Sequence, residues 1–136
     1  MARALLVISF AVAVALMLEA LPSQAEPAPA SCPQGLEAAS PGLLATIIEE
    51  FGPEHAPRAL RIAGCESSFD LYATNPETDA AGVFQFIPET WTWVCEGAGV
   101  SCDLRARYDG WSNVHAAAHL ALEQPGGGWQ HWVCQG

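Results

Sequence analysis

Positive charge is scarce in this sequence. It contains no lysine, and its five arginines stand against 15 acidic residues, for a formal net charge of −10. Because phosphate binding depends on clustered Lys and Arg side chains, this composition argues against nucleic acid as a partner. An internal repeat is also missing, which excludes solenoids and other repeat architectures. The expectation that remains is a small, acidic, single-domain protein.

The first 25 residues have the organisation of a secretory signal peptide. Arg3 is followed by an apolar stretch from Ala4 to Leu18, and Ser23 and Ala25 place small residues where a signal peptidase reads them. Cleavage after Ala25 is expected, followed by a secreted, periplasmic or wall-associated location. A retained membrane anchor is the alternative. The apolar stretch is shorter than the roughly 20 residues that span a bilayer, so no stable membrane insertion is expected after cleavage.

Proline and alanine alternate from Glu26 to Ala30, so residues 26–39 are expected to form a stiff, extended tether. Residues 40–136 suit one domain with one modest core. A core of that size benefits from covalent support. All five cysteines follow the expected cleavage site: Cys32, Cys65, Cys95, Cys102 and Cys134.

Five cysteines in an exported chain predict two disulfides and one leftover thiol. The sequence alone does not select among the arrangements. We favour Cys95 with Cys102, which closes a glycine-containing loop, and Cys65 with Cys134, which would pin the chain end to the helix that carries Glu66. Cys32 would then remain in the tether, either free or paired with a cysteine of another molecule.

Glycine and proline divide the rest of the chain into helical segments. The predicted helices run from Ser40-Pro41 to Gly52-Pro53, from near Pro57 to Glu66, from Pro88 through Trp91, and from a Ser112 cap to just before Pro125. Between Phe69 and Ile87, turn signals and the strand-favouring Val83, Phe84 and Phe86 predict a small hairpin or irregular lobe. The predicted fold class is therefore α+β, mainly helical and stapled by disulfides.

Glu66 occupies the most informative position of any acid in the sequence. It follows Ile62 by one helical turn, on a face otherwise suited to the core, near the C-terminal end of the second predicted helix. Partial burial and the negative helix end both disfavour a charged carboxylate, so this group suits a general acid. Spacing alone also fits an ordinary solvated glutamate at a helix end.

Three further motifs follow Glu66 in a fixed order. The set is Glu66-Ser67-Ser68-Phe69, then Gly82-Val83-Phe84-Gln85, then Pro88-Glu89-Thr90, then Asn113 at a helix start. In this order the motifs resemble the lytic-transglycosylase (SLT-type) and resuscitation-promoting-factor families of the lysozyme superfamily. The resemblance extends from about Leu43 to Cys134, and it depends on the ordered set because no single motif is specific.

The resemblance implies a lysozyme-like domain that cleaves peptidoglycan at the β-1,4 bond between N-acetylmuramic acid and N-acetylglucosamine. Glu66 would be the catalytic acid, and Gln85 would hydrogen-bond the sugar. Thr90 and Asn113 would shape or support the site. The expected partner is the glycan strand, and no cofactor or metal is expected.

Sugar rings in such clefts rest on aromatic side chains, and Tyr72, Phe86, Trp91 and Trp93 are the candidates. Core packing is the competing interpretation, which we favour for Phe86 and for one of the two tryptophans. Tyr72 is the better platform candidate, and Trp91 is retained beside it as a substrate-binding candidate.

Two features leave the product open. Most glycosidases use a second carboxylate, but Asp70, Asp79 and Asp109 are not convincingly placed, and we assign no second acid. Many SLT-type domains carry a tyrosine late in the domain, whereas Tyr72 and Tyr108 both precede Asn113. Cleavage by water and closure to an anhydro-sugar therefore remain alternatives.

The sequence also raises the possibility of a metal site and of a non-catalytic function. His115 and His119 have the i, i+4 spacing of zinc ligands, but Ala116 stands where metalloprotease helices carry glutamate, so both are predicted to be ordinary helix residues. The rival function is a non-catalytic module that binds glycan in the same cleft, or a purely structural secreted domain.

Overall fold

The computed structural model describes residues 39–134. The predicted signal peptide (1–25), the tether before Ala39 and Cys32 lie outside the described residues. The elements are α1 (Pro41–Ser67), β1 (Thr74–Asn75), β2 (Ala80–Ala81), α2 (Pro88–Ala98) and α3 (Gly110–Leu122), with 3₁₀ helices at Leu104–Tyr108 and Trp129–His131. The prediction of a mainly helical α+β domain with a small hairpin is confirmed.

Helix α1 contains both of the first two predicted helices. Its start is as expected, because the Ser40 hydroxyl accepts the N–H of Leu43 and Pro41 occupies the first turn. Gly52, at φ 66° and ψ 169°, kinks the helix. The expected start of the second half near Pro57 was wrong. Pro53 directly follows the kink, in a first-turn position where its missing N–H costs nothing.

The hairpin lies within the lobe predicted between Phe69 and Ile87, ahead of the strand-favouring residues Val83, Phe84 and Phe86. Strands β1 and β2 pair antiparallel, with Thr74 opposite Ala81 and Asn75 opposite Ala80. Val83, Phe84 and Phe86 follow β2 in a buried turn, and only Phe86 forms a bridge, with Ala81. Gly82 begins this turn at φ 78°, a backbone region that favours glycine.

Helix α2 extends further than predicted. Residues 95–98 are helical rather than part of a loop, and Gly99 ends the helix at φ 69°. The Cys95–Cys102 disulfide therefore closes the end of α2 together with the turn that follows. Helix α3 is capped by Asp109, whose carboxylate accepts the N–H of Ser112 at 2.8 Å, and the prediction of Ser112 as the cap was wrong.

The core lies where α3 packs against α1 and α2. Its largest fully buried side chains include Ile47 and Ile62 from α1, Trp91 from α2 and Leu120 from α3. Burial of such side chains contributes roughly 1.5–3 kcal/mol each, before the entropy of ordering them is subtracted. Across residues 39–134, no helix combines the length and the apolar character needed to cross a bilayer.

Candidate functional site

Glu66 lies between two adjoining cavities, which we call together the Glu66 cleft. The larger, about 540 Å³, is lined by the end of α1, the hairpin residues 73–77 and Gln85. The smaller, about 250 Å³, is lined by Thr78, Ala80 and Ile87 and by residues 131–133. Glu66, Asn75 and Gln85 line both cavities, so these three side chains mark the middle of one groove.

The local fold holds Glu66 at the end of α1. Helix α1 ends when Ser68 adopts a left-handed conformation, and its N–H returns to carbonyls of the last turn. The Ser67 hydroxyl donates to the carbonyl of Val83 at 2.8 Å, which ties the helix end to the turn after the hairpin. Glu66 is partly buried, and its Oε1 accepts the backbone N–H of Cys134 at 3.3 Å.

The Cys65–Cys134 disulfide fastens the same two segments. Cys65 directly precedes Glu66, so the bridge and the hydrogen bond join the chain end to consecutive residues of α1. Trp132 anchors this segment from the other side, since its indole N–H donates to the carbonyl of Phe84 at 2.9 Å. Both pairings favoured from the sequence are present, Cys65 with Cys134 and Cys95 with Cys102.

Gln85 faces the cleft from the turn after β2. Its backbone has φ 49°, and its Nε2 donates to the carbonyls of Ala73 at 3.1 Å and Gly82 at 2.9 Å. These bonds orient the amide. Its Oε1 has no hydrogen-bond partner within residues 39–134, so it is free to accept a hydroxyl or amide proton of a ligand.

Thr90 lies beyond the smaller cavity, in a third space of about 90 Å³ that it shares with Gln85, Ile87, His131 and Trp132. The groove thus continues from the hairpin, past Glu66 and Gln85, toward the first turn of α2. Thr90 does not line either cavity next to Glu66.

Asn113 does not reach the cleft. Its side chain is fully buried, accepts the N–H of Phe84 at 2.8 Å, and donates to the carbonyls of Arg107 at 2.7 Å and Ala81 at 3.3 Å. Asn113 was expected to shape or support the site, and its buried side chain leaves no surface for direct contact with a substrate. The amide instead supports the site from beneath, by fixing the turn that carries Gln85.

Trp91, retained from the sequence as a substrate-binding candidate, does not line the cleft either. Its side chain is fully buried, its ring packs edge-on against Phe86 at 5.2 Å, and its N–H donates to the carbonyl of Ser101. The i, i+2 spacing of Trp91 and Trp93 puts them on different faces of α2. Trp93, 43% exposed, is the one at the surface, and it packs near His131 at 5.5 Å.

Tyr72 is 74% exposed and stacks on Tyr108 with ring centroids 6.4 Å apart. It lines a separate cavity of about 370 Å³ with Ser68 and residues 69–71, not the Glu66 cleft. Ser68 borders both spaces, so Tyr72 lies beside the groove rather than within it.

The three aspartates considered as second acids all have structural partners. Asp70 accepts the N–H of Tyr72, Asp79 pairs with Arg107 at 3.2 Å, and Asp109 caps α3. Hydrogen bonds from Ser112 hold the pKa of Asp109 below its ordinary value. The second glutamate that lines the cleft is Glu77, which sequence reasoning missed. The sequence feature that could have pointed to Glu77 was its position in a turn, two residues after Asn75.

The two helical histidines are engaged with carboxylates. His115 Nδ1 lies 2.5 Å from Glu50, and His119 Nδ1 lies 3.2 Å from Glu123. In the described part of the chain, no group of three or more His, Cys, Asp or Glu side chains is arranged to hold a metal ion.

A comparison with protein-family models bears on the whole of this site. The family described as the transglycosylase SLT domain matches residues 53–129. That range includes Glu66, the hairpin, Gln85 and Asn113. Cys134, whose backbone N–H donates a hydrogen bond to Glu66, lies outside it. Comparisons with curated proteins and with solved structures gave no match. The chain belongs to the transglycosylase SLT domain family.

Proposed function

We propose that this protein is an exported enzyme that cleaves peptidoglycan at the β-1,4 bond between N-acetylmuramic acid and N-acetylglucosamine, with Glu66 as the general acid. The observation that carries the proposal is the place of Glu66. It stands in the middle of a groove, between the hairpin and the C-terminal segment, and lines both of its cavities. A sugar chain laid along this groove passes the Glu66 carboxyl.

The chemistry requires a proton at the scissile oxygen. Glu66 delivers its proton to the glycosidic oxygen as the C1–O bond breaks, and the departing sugar leaves as an alcohol. The sugar's N-acetyl carbonyl can stabilise the positive charge that develops at C1. Gln85 Oε1 accepts a hydrogen bond from the bound sugar and holds the ring in register with Glu66.

The Glu66 carboxylate left by the first step then acts as a base. If it takes the proton of the sugar's own 6-hydroxyl, that oxygen bonds to C1 and an anhydro-sugar forms. If it takes a proton from water, the product is a reducing end. Both routes restore protonated Glu66 and need no second acid. The anhydro-sugar is the product of a transglycosylase, and the reducing end is the product of a hydrolase.

The decisive experiment uses the oxidised chain from residue 26 onward with purified peptidoglycan. Released fragments are identified by mass spectrometry, beside Glu66→Gln and a matched Glu49→Gln control. Glutamine keeps the oxygen that accepts the Cys134 N–H but has no proton to donate. Glu49 is exposed in the first half of α1 and lines neither cavity of the cleft.

Fragments that appear with the wild type and with Glu49→Gln, and vanish with Glu66→Gln, support the proposal. Undiminished activity of a folded Glu66→Gln variant overturns the role of Glu66. A folded wild type that binds glycan and releases nothing favours the second candidate, a non-catalytic binding module. The polar groove would support that function as well.

A further inference from the structure

Acidic side chains outnumber basic ones along the Glu66 cleft. Glu66 stands at its middle and Glu77 on the hairpin. The imidazole of His131, at the opposite end, is the only basic side chain among the residues that line the two cavities. Hydroxyl and amide groups make up most of the remaining polar lining, among them Ser67, Thr74 and Asn75. Such groups match neutral N-acetyl sugars.

None of the arginines in the described part of the chain lines the cleft. Arg107 is buried, and its guanidinium binds Asp79 and the carbonyl of Phe86. Arg58 lies over the Trp129 ring at 4.7 Å. Arg61 and Arg105 are exposed outside the cleft. Because the proposed mechanism begins with Glu66 protonated, a carboxylate brought into the groove meets the negative charge of Glu77 and no guanidinium.

Peptidoglycan carries such carboxylates next to the bond that is cut, since each stem peptide is attached to a muramic acid. Amidation converts a stem carboxylate into a carboxamide of nearly the same size without its charge. We propose that this cleft selects glycan strands whose stem carboxylates are amidated over the same strands with free carboxylates. The inference rests on the proposed function, and it names the substrate class of that same site.

The repulsion also has a longer-range part. A free carboxylate several ångströms from Glu77 is opposed by a like charge, and the protein's net charge of −10 adds to that opposition at low salt. The Debye length falls from about 30 Å at 0.01 M salt to about 8 Å at 0.15 M, so added salt weakens the longer-range part first. This repulsion weakens substrate binding, so it should raise the KM for strands with free carboxylates.

The test compares two synthetic disaccharide-peptide oligomers that differ only in D-glutamate against D-isoglutamine at the second stem position. We expect kcat/KM to favour the amidated oligomer by roughly threefold or more at low salt, and the ratio to shrink as salt rises. Equal kcat/KM for the two oligomers at low salt, or a preference for the free carboxylate, overturns the inference.

Two variants distinguish selectivity that arises from the charge in the cleft from selectivity that arises from the protein's net charge. Glu77→Gln removes a charge from the groove and should lower the selectivity ratio, whereas Glu49→Gln removes the same charge elsewhere and should not. An equal fall with both variants assigns the selectivity to net charge and overturns the role of the cleft.

Failure of the proposed function gives a different result. If wild type cleaves neither oligomer, that function is wrong, and affinities for the two oligomers are then measured by calorimetry. Tighter binding of the amidated oligomer supports the inferred preference for amidated strands, and equal affinity overturns it.

Discussion

The backbone N–H of Cys134 donates to Oε1 of Glu66 across 3.3 Å, although the two residues are 68 positions apart in sequence. The disulfide from Cys134 to Cys65 secures this contact, because Cys65 directly precedes Glu66. The segment around Cys134 is thereby held against the proposed catalytic acid.

Replacing Cys65 and Cys134 together by serine should lower the free energy of unfolding by about 4 kcal/mol, because the bridge closes a long loop. The matched change at Cys95 and Cys102, whose separation is 7, should cost about 2.5 kcal/mol. Denaturant titration of both variants measures the difference. Equal losses would contradict the dependence on loop length. Cleavage activity should also fall further in the first variant, since only that one releases the Glu66 contact.

Asn113→Ala should destabilise the protein by about 3 kcal/mol or more. The buried amide satisfies the N–H of Phe84 and the carbonyls of Ala81 and Arg107, and alanine leaves all three without this partner. Asn75→Ala is the control, because the exposed Asn75 side chain accepts only the N–H of Glu77. Its effect should stay within about 0.5 kcal/mol. A similar stability for both variants in chemical denaturation would refute the supporting role of Asn113.

Trp91→Ala and Tyr72→Ala should differ in their effect on stability, because Trp91 lies in the core and Tyr72 at the surface. Loss of the fully buried Trp91 ring should cost about 3–5 kcal/mol, whereas loss of the exposed Tyr72 ring should change stability by at most about 0.5 kcal/mol. Thermal unfolding measures both. If Tyr72 holds a sugar beside the groove, the Tyr72→Ala variant should show a raised KM with kcat retained. An unchanged KM removes Tyr72 from the substrate contacts.

The cap of α3 should make stability depend on pH. Hydrogen bonds from Ser112 lower the folded-state pKa of Asp109, so its stabilising contribution is complete above the unfolded value of about 3.9 and is lost as pH falls through the lower folded value. Asp109→Ala should therefore cost about 1 kcal/mol at pH 7. The cost should shrink below about pH 4. A cost that stays constant from pH 7 to pH 2.5 in denaturant titrations would contradict the charged cap.

Prediction from the sequence succeeded where the signal was local. Ser40 and Pro41 start α1 as expected, because a cap hydroxyl and a first-turn proline act within one helical turn. The ordered motifs from Glu66 to Asn113 indicated the family that comparison assigns. Local signals were less decisive where two neighbours could serve equally well. Asp109 and Ser112 are both good caps, and the structure uses Asp109.

The sequence by itself therefore determined the helical class and the candidate acid, whereas the structure selected the two cysteine pairs among the arrangements that the sequence left open. Tertiary structure alone decided which side chains share a space. Trp91 and Trp93 are identical residues two positions apart, and only tertiary packing, which includes the Phe86 ring, buries the first of them. Glu77 lies in the cleft because the hairpin folds back over the end of α1. Burial and proximity depend on contacts between residues distant in sequence, and no local pattern encodes those contacts.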